Sequence, residues 1–138
     1  MRTCCVLGGG GYLGEHVVDY LLARDSFEKI RVCDHFLSEK ALQGVLLRRQ
    51  RYSSRIEYRK TDACHAGQVL DALSDCEVVV YLVGLVDTRS GPFHDAKMHR
   101  LNIAAIQTTL AACENSQVES FIFMSSHASC SDGIWYDN

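Results

Sequence analysis

The sequence has little proline, no paired cysteine motif and no long apolar run. Pro92 is the only proline and no stretch resembles a linker, so residues 1–138 are expected to form one domain. Seven cysteines occur without a C-x-x-C pair, which excludes the common zinc motifs and predicts buried, reduced thiols. The longest apolar run covers the nine residues 78–86, too few to cross a membrane. No metal site, no leader segment and a cytoplasmic location are therefore expected.

An excess of charge of one sign is also missing. The formal net charge is −3, and basic and acidic residues are mixed along the chain, so binding to nucleic acid is not expected. One basic cluster interrupts this mixture, formed by Arg48, Arg49, Arg51 and Arg55. A solvated helix end or loop is favoured for this cluster over an anion-binding site.

Two hydrophobic periodicities alternate along the chain. Five short β-rich runs are separated by stretches with a repeat near 3.6 residues, and the run at 78–83 is apolar on both faces. This alternation predicts an α/β fold: a doubly wound parallel sheet of the Rossmann type, with strand order 3-2-1-4-5. The predicted strands are Thr3–Leu7, Lys29–Cys33, Arg55–Arg59, Val78–Val83 and Ser120–Met124, and the predicted helices are Glu15–Arg24, Ser38–Gln50, Ala66–Leu73 and His99–Cys113.

A glycine-rich segment at 8–14 follows the first predicted strand and opens the first helix. A G-x-G-x-x-G pattern is weak evidence alone but informative at a strand–helix junction. Gly8 would form the tight turn, Gly11 would let the backbone approach a pyrophosphate, and Gly14 would let the helix pack closely. The phosphates would then lie at the helix N-terminus, beside Tyr12 and Leu13. The alternative is a flexible turn that binds no ligand.

Two aspartates follow the second and third predicted strands. Asp34 lies twenty residues past Gly14, where a carboxylate would accept hydrogen bonds from an adenosine ribose. Because it would also repel a 2′-phosphate, it favours NAD over NADP; the alternative is a solvent-exposed aspartate in a turn. Asp62 would accept a hydrogen bond from the adenine amino group, cap the following helix, or do both.

In order and spacing, these motifs resemble the 3β-hydroxysteroid dehydrogenase/isomerase family of the extended short-chain dehydrogenase/reductases. The resemblance covers nearly the whole chain and rests on the segments at 8–22, 30–35, 78–87, 101–113 and 121–129. The Gly-Leu-Val-Asp sequence at 84–87 and the serine pair at 125–126 point more narrowly to the steroid branch. The cofactor contacts that the resemblance implies are made by Gly8, Gly11, Gly14, Asp34 and Asp62, with Val83, Gly84 and Leu85 on the nicotinamide side.

The same resemblance gives active-site roles to one serine of the pair at 125–126 and to one asparagine. It implies that Ser126 is the catalytic serine, which hydrogen-bonds the substrate oxygen, with Ser125 as the competing assignment. From the residues alone, this pair lies where open α/β sheets bind ligands, but a turn or helix cap is an equal interpretation. Asn102 stands where the family has a helix asparagine that helps to organise the active site.

The family's chemistry also needs a tyrosine with a lysine four residues later, and no tyrosine here has that partner. We therefore interpret the chain as the C-terminally truncated NAD-binding part of such a dehydrogenase, without its later strands and substrate segment, and inactive alone. The full-length reaction would be hydride transfer from a steroid 3β-alcohol, or another hydroxyl-bearing small molecule, to NAD. Full-length members of the family are often attached to the endoplasmic reticulum or to mitochondria.

Two alternatives stay open. One is a non-catalytic NAD-binding or regulatory module, in which the chain forms a dimer with itself or with a complete homologue. The other is an extended short-chain dehydrogenase that acts on nucleotide sugars, because the residues that would select the substrate are not in this sequence.

Overall fold

The computed structural model describes residues 2–85 and 91–125, apart from the side chains of residues 39–41. They form a five-stranded parallel sheet in the order β3-β2-β1-β4-β5, with helices on both faces. The predicted fold class and strand order are confirmed. The strands are β1 (Thr3–Leu7), β2 (Lys29–Asp34), β3 (Ile56–Lys60), β4 (Val78–Tyr81) and β5 (Ser120–Phe123).

Five α-helices connect these strands within the described ranges. The segment before β5 is longer than predicted: it begins at Pro92, and a π-helical turn at Arg100–Ala104 joins its two α-helices. Proline is well placed there, because the first helical residue needs no N–H donor. The helices are α1 (Tyr12–Arg24), α2 (Glu39–Arg48), α3 (Ala66–Ala72), α4 (Pro92–His99) and α5 (Ala105–Glu114), and a 3₁₀ turn at Gln50–Tyr52 follows α2.

The central strand, β1, is buried along its whole length because it has a strand on each side and helices on both faces. Its side chains alternate between two cores, as the two-residue period of a strand requires. Cys5 and Leu7 pack with Val79 and Leu73 on one face. On the other face, Cys4 and Val6 pack with residues of α1 and β2, namely Val18, Leu22, Ile30 and Val32.

The buried-thiol prediction is confirmed for four cysteines: Cys4, Cys5, Cys33 and Cys76. Burial raises the pKa of the Cys4 thiol to about 12, so this group is a neutral, packed side chain at physiological pH. Cys64 and Cys113 are only partly buried, and Cys130 lies outside the described residues.

The prediction of a solvated basic cluster is wrong for Arg49. Its side chain is 3% exposed and donates hydrogen bonds to the Asp19 carboxylate (2.6 Å), the Tyr58 hydroxyl (3.0 Å) and the Glu15 carbonyl (3.0 Å). Arg48, by contrast, is 54% exposed and pairs with Glu15 at the surface. Arg49 therefore ties α1 to β3, and Arg55, 22% exposed, also donates to the Leu22 carbonyl of α1 at 3.4 Å.

Among residues 2–85 and 91–125, no helix is both long enough and apolar enough to cross a membrane.

Candidate dinucleotide-binding site

The glycine loop leaves the end of β1 between the ends of β2 and β4. The backbone N–H groups of Gly8 and Gly9 donate to the Cys33 carbonyl oxygen at 2.8 and 3.2 Å. Gly8 has a φ angle of 81°, and an added Cβ would lie 2.8 Å from the Leu82 carbonyl carbon. Both the left-handed backbone and the close strand exclude a side chain at this position, as predicted for the tight turn.

Gly14 and Gly11 have opposite surroundings. An added Cβ at Gly14 would overlap the Gly8 carbonyl oxygen and Gly9, so the first turn of α1 packs closely against the glycine loop. Gly11 is exposed, and an added Cβ there would meet only the Gly8 oxygen, at 3.4 Å. The space in front of Gly11 is therefore open to a ligand.

The N-terminus of α1 faces this open space. Gly11 is the N-cap and has no side chain with which to satisfy the N–H groups of the first turn. Tyr12 and Leu13 follow it and are 86% and 44% exposed. Free amide donors and the positive end of the helix dipole suit a bound anion at this position.

Asp34 is the last residue of β2 and lies beside the glycine loop, where the sequence predicted a ribose-binding carboxylate. One of its oxygens accepts from the Gly10 N–H at 3.1 Å and the other from the Phe36 N–H at 3.0 Å. These two bonds orient the carboxylate and leave further acceptor capacity on each oxygen. Its role toward a ribose stays a prediction.

Asp34 lines a cavity of about 60 Å³. The loop after β2 contributes Phe36 and Leu37 to its wall, and the exposed fraction of Phe36 is 84%. Tyr58 and Arg49 also line the cavity. The exposed Phe36 ring and the Asp34 carboxylate therefore form a surface that is apolar on one side and charged on the other.

Asp62 does not cap the helix that follows it, so that alternative is wrong. The N-cap of α3 is His65, whose ring nitrogen accepts from the Gln68 N–H at 3.3 Å. Asp62 instead accepts from the Cys64 N–H at 2.9 Å and pairs with the Arg100 guanidinium at 3.2 Å. It is partly buried at the end of β3, so its predicted contact with an adenine stays open.

The segment after β4 is held by one side chain. Asn102, in the π-helical turn, accepts from the Leu85 N–H at 2.7 Å and donates to the Leu85 carbonyl at 2.8 Å. This two-point contact fixes the backbone beside Val83 and Gly84, and Gly84 is exposed. Asn102 thus organises the loop in which the nicotinamide contacts are predicted.

The predicted catalytic serine, Ser126, lies outside the described residues. Its competitor Ser125 is the last residue described and is exposed, two residues beyond β5. The choice between them therefore stays a prediction.

Sequence reasoning missed two residues at this edge of the sheet, Arg100 and Tyr81. The Tyr81 hydroxyl is buried and has no hydrogen-bond partner among the described residues. Burial raises the pKa of this phenol, and its ring packs near Phe121 and Phe123. Neither residue could be assigned to the site from the sequence, because a tyrosine in an apolar run and an arginine in a helix match no binding motif.

The comparisons with known proteins agree with this arrangement. A model of the 3-beta hydroxysteroid dehydrogenase/isomerase family matches residues 5–134, which is almost the whole chain. The chain belongs to this family. The resemblance inferred from the glycine loop, the strand ends and the helix motif is confirmed.

Two curated relatives show the extent of this similarity. The 4-hydroxy-2-methyl-3-oxo-4-farnesyl-3,4-dihydroquinoline-1-oxide ketoreductase of Stigmatella aurantiaca is 31% identical over 134 residues, covering 96% of this chain and 36% of that protein. The 3 beta-hydroxysteroid dehydrogenase type 7 of Mus musculus is 30% identical, covering 88% of this chain and 31% of that protein. The chain spans about a third of the length of these relatives.

Solved structures share the fold. The X-ray structure of Pen from Bacillus thuringiensis has a TM-score of 0.83 at 19% identity, covering 93% of this chain and 39% of that one. The UDP-glucuronic acid 4-epimerase from Bacillus cereus, solved in complex with NAD, has a TM-score of 0.73 at 22% identity, covering 92% and 41%.

Proposed function

We propose that this chain is the NAD-binding part of an oxidoreductase of the 3-beta hydroxysteroid dehydrogenase/isomerase family. The observation that carries the proposal is the position of Asp34, one strand away from the open glycine loop and hydrogen-bonded to its Gly10 N–H. Free first-turn amides that would donate to a pyrophosphate, and a carboxylate that would accept from a ribose, therefore lie side by side at the carboxyl ends of the parallel strands. That is the edge at which open α/β sheets bind ligands.

The residues present fit a dinucleotide. A side chain at Gly11 would fill the open space before α1, where the pyrophosphate would accept from the first-turn amides. Asp34 would accept from the ribose hydroxyls, and its negative charge would oppose a 2′-phosphate. The fit favours NAD over NADP, and it agrees with the NAD complex of the epimerase.

The remaining predicted contacts continue the site along the same edge. Asp62 would receive the adenine end, and the backbone at Val83 and Gly84 would lie beside the nicotinamide end. Asn102 would keep that backbone in place through its two bonds to Leu85. When NAD is bound, its nicotinamide ring would accept a hydride from an alcohol carbon.

For the whole protein we propose an apolar alcohol or ketone as substrate, with a steroid 3β-alcohol as the first candidate. By their names, one relative is a hydroxysteroid dehydrogenase and the other a ketoreductase of a farnesylated quinoline oxide. Ser126 would position the substrate oxygen by a hydrogen bond. The proton acceptor would come from outside the 138 residues, because no tyrosine here has a lysine four positions later.

A nucleotide sugar is the second candidate substrate. The solved structures that share the fold include a UDP-glucuronic acid 4-epimerase, and a likeness at 22% identity supports the fold alone. A nucleotide sugar would need residues that bind its nucleotide part, and we assign this role to none of the described residues. A non-catalytic NAD-binding module is compatible with the same site.

The test is calorimetric titration of the purified chain with NAD and with NADP. We expect NAD to bind more tightly, Asp34→Ala to weaken NAD binding by about 1–3 kcal/mol, and Gly11→Val to abolish it. The matched control is Glu114→Ala, which removes a carboxylate from an exposed position at the end of α5, away from the strand ends. Equal or tighter NADP binding by the unmodified chain, or unchanged affinity in Asp34→Ala, would refute the assignment.

A further inference from the structure

One residue of the π-helical turn holds the β3–α3 loop at two points. The guanidinium of Arg100 lies 3.2 Å from the second carboxylate oxygen of Asp62. The backbone carbonyl of Arg100 accepts from the Cys64 thiol at 3.6 Å. The turn is therefore connected to the two residues that flank Ala63, through both its side chain and its main chain.

The carboxylate of Asp62 is oriented by this contact. Its first oxygen accepts from the Cys64 N–H at 2.9 Å, and its second oxygen faces Arg100. Each carboxylate oxygen accepts about two hydrogen bonds, so one site on each remains. An adenine amino group can therefore donate to Asp62 while Arg100 stays in contact.

The exposure of the pair argues against a mainly stabilising role. The Arg100 side chain is 63% exposed and that of Asp62 is 25% exposed. Ion pairs with this much solvent contact contribute little to folding free energy. The effect of the pair is to restrict the rotation of one carboxylate, which matters for hydrogen-bond geometry more than for stability.

We propose that Arg100 is a positioning residue for base recognition: it orients Asp62 toward the amino group of a purine base such as adenine. This inference rests on the proposed function, because it assigns a residue to the adenine end of the same dinucleotide site. Arg100 acts through Asp62 and needs no contact of its own with the cofactor. It therefore adds selectivity for a base that carries an amino donor.

The test compares NAD with 1,N6-etheno-NAD, whose bridged adenine nitrogen has no hydrogen to donate. Both dinucleotides are titrated into the unmodified chain, Arg100→Met and Arg100→Lys. We expect Arg100→Met to weaken NAD binding about five-fold and to change binding of the etheno analogue less than about two-fold. Arg100→Lys keeps a charged donor and should recover part of the preference. The control is Arg24→Met, which removes one positive charge at the last turn of α1.

Thermal unfolding of each variant shows whether folding is retained. Equal loss of both dinucleotides in Arg100→Met, or unchanged NAD affinity in that variant, would overturn the inference while NAD binding by the unmodified chain still stands. If Arg100→Met does not fold, the same comparison is made with Arg100→Lys. In that variant, unchanged affinities for both dinucleotides and an unchanged preference for NAD would also overturn the inference. Failure of the unmodified chain to bind either dinucleotide would overturn the proposed function and the inference with it.

Discussion

The two edge strands of the sheet differ in their side chains. At one edge, β3 carries charged residues, and Glu57 accepts from Arg59 at 2.7 Å and from the buried Arg31 of β2 at 3.0 Å. At the other edge, β5 is apolar, and Ile122 and Phe123 are 50% and 48% exposed. Charged side chains on the edge strands of natural proteins oppose pairing with strands of other chains. β3 has this protection and β5 does not, among the residues described.

One side chain that contacts the charged edge strand, that of Arg31, is buried in the interior. Arg31 is 5% exposed, and one of its nitrogens donates to the carbonyls of Ala72 and Ser74, both at 2.7 Å. Burial alone would raise the pKa of Glu57, but hydrogen bonds from Arg59 and Arg31 outweigh burial and lower it. The carboxylate therefore stays ionised beside the two arginines. We therefore expect the stability of the fold to depend more on the buried polar contacts at β3 than on the exposed apolar side chains of β5.

The largest effect is expected from breaking the charged edge with Arg31→Met. The change removes the guanidinium donor from two carbonyls and one of the two cations beside Glu57. We expect a loss of about 4 kcal/mol in the free energy of unfolding, because Arg31 is buried and its carbonyl and carboxylate partners lose a charged donor. Urea denaturation followed by circular dichroism measures it. Arg24→Met, at the exposed end of α1, is the matched control, and a loss below about 1 kcal/mol in Arg31→Met would contradict the account.

A second prediction compares the same residue in the interior and at the apolar edge. Ile30 in β2 is fully buried, whereas Ile122 in β5 is half exposed. We expect Ile30→Ala to cost about 3 kcal/mol and Ile122→Ala about 1 kcal/mol, because only the first leaves a cavity in a packed core. Denaturation of the two variants under identical conditions gives the difference. Equal losses would mean that β5 is covered in solution.

The smallest change in stability is expected from giving β5 the charge that β3 has. Ile122→Lys should alter the free energy of unfolding by less than about 1 kcal/mol but reduce concentration-dependent association, since a lysine on an edge strand opposes pairing with another chain. Light scattering over a concentration series measures association. Leu47→Lys, at a 75% exposed position on α2, makes the same substitution away from a strand edge. If both variants associate equally, the β5 edge is not the cause.

Much of the fold was predictable because its signals are local. The alternation of β-rich runs and helical repeats located all five strands to within two residues at each end, and the strand order followed from the Rossmann-type arrangement that this alternation predicts. The glycine loop and Asp34 were predictable because backbone sterics and the strand end dictate their positions. Val78–Val83 was predicted two residues too long, since apolar residues continue past the last paired residue, Tyr81.

What the sequence by itself determined is therefore the order of elements, the tight turn at Gly8 and the acidic residue at the end of β2. The tertiary structure decided which polar groups meet: Arg49 with Asp19, Asp62 with Arg100 rather than with the α3 N-terminus, and Asn102 with Leu85. These pairs are 17 to 38 residues apart along the chain. Periodicity and propensity act over a few residues, whereas such contacts depend on how the helices pack against the sheet, and that packing forms only when the whole sheet is assembled.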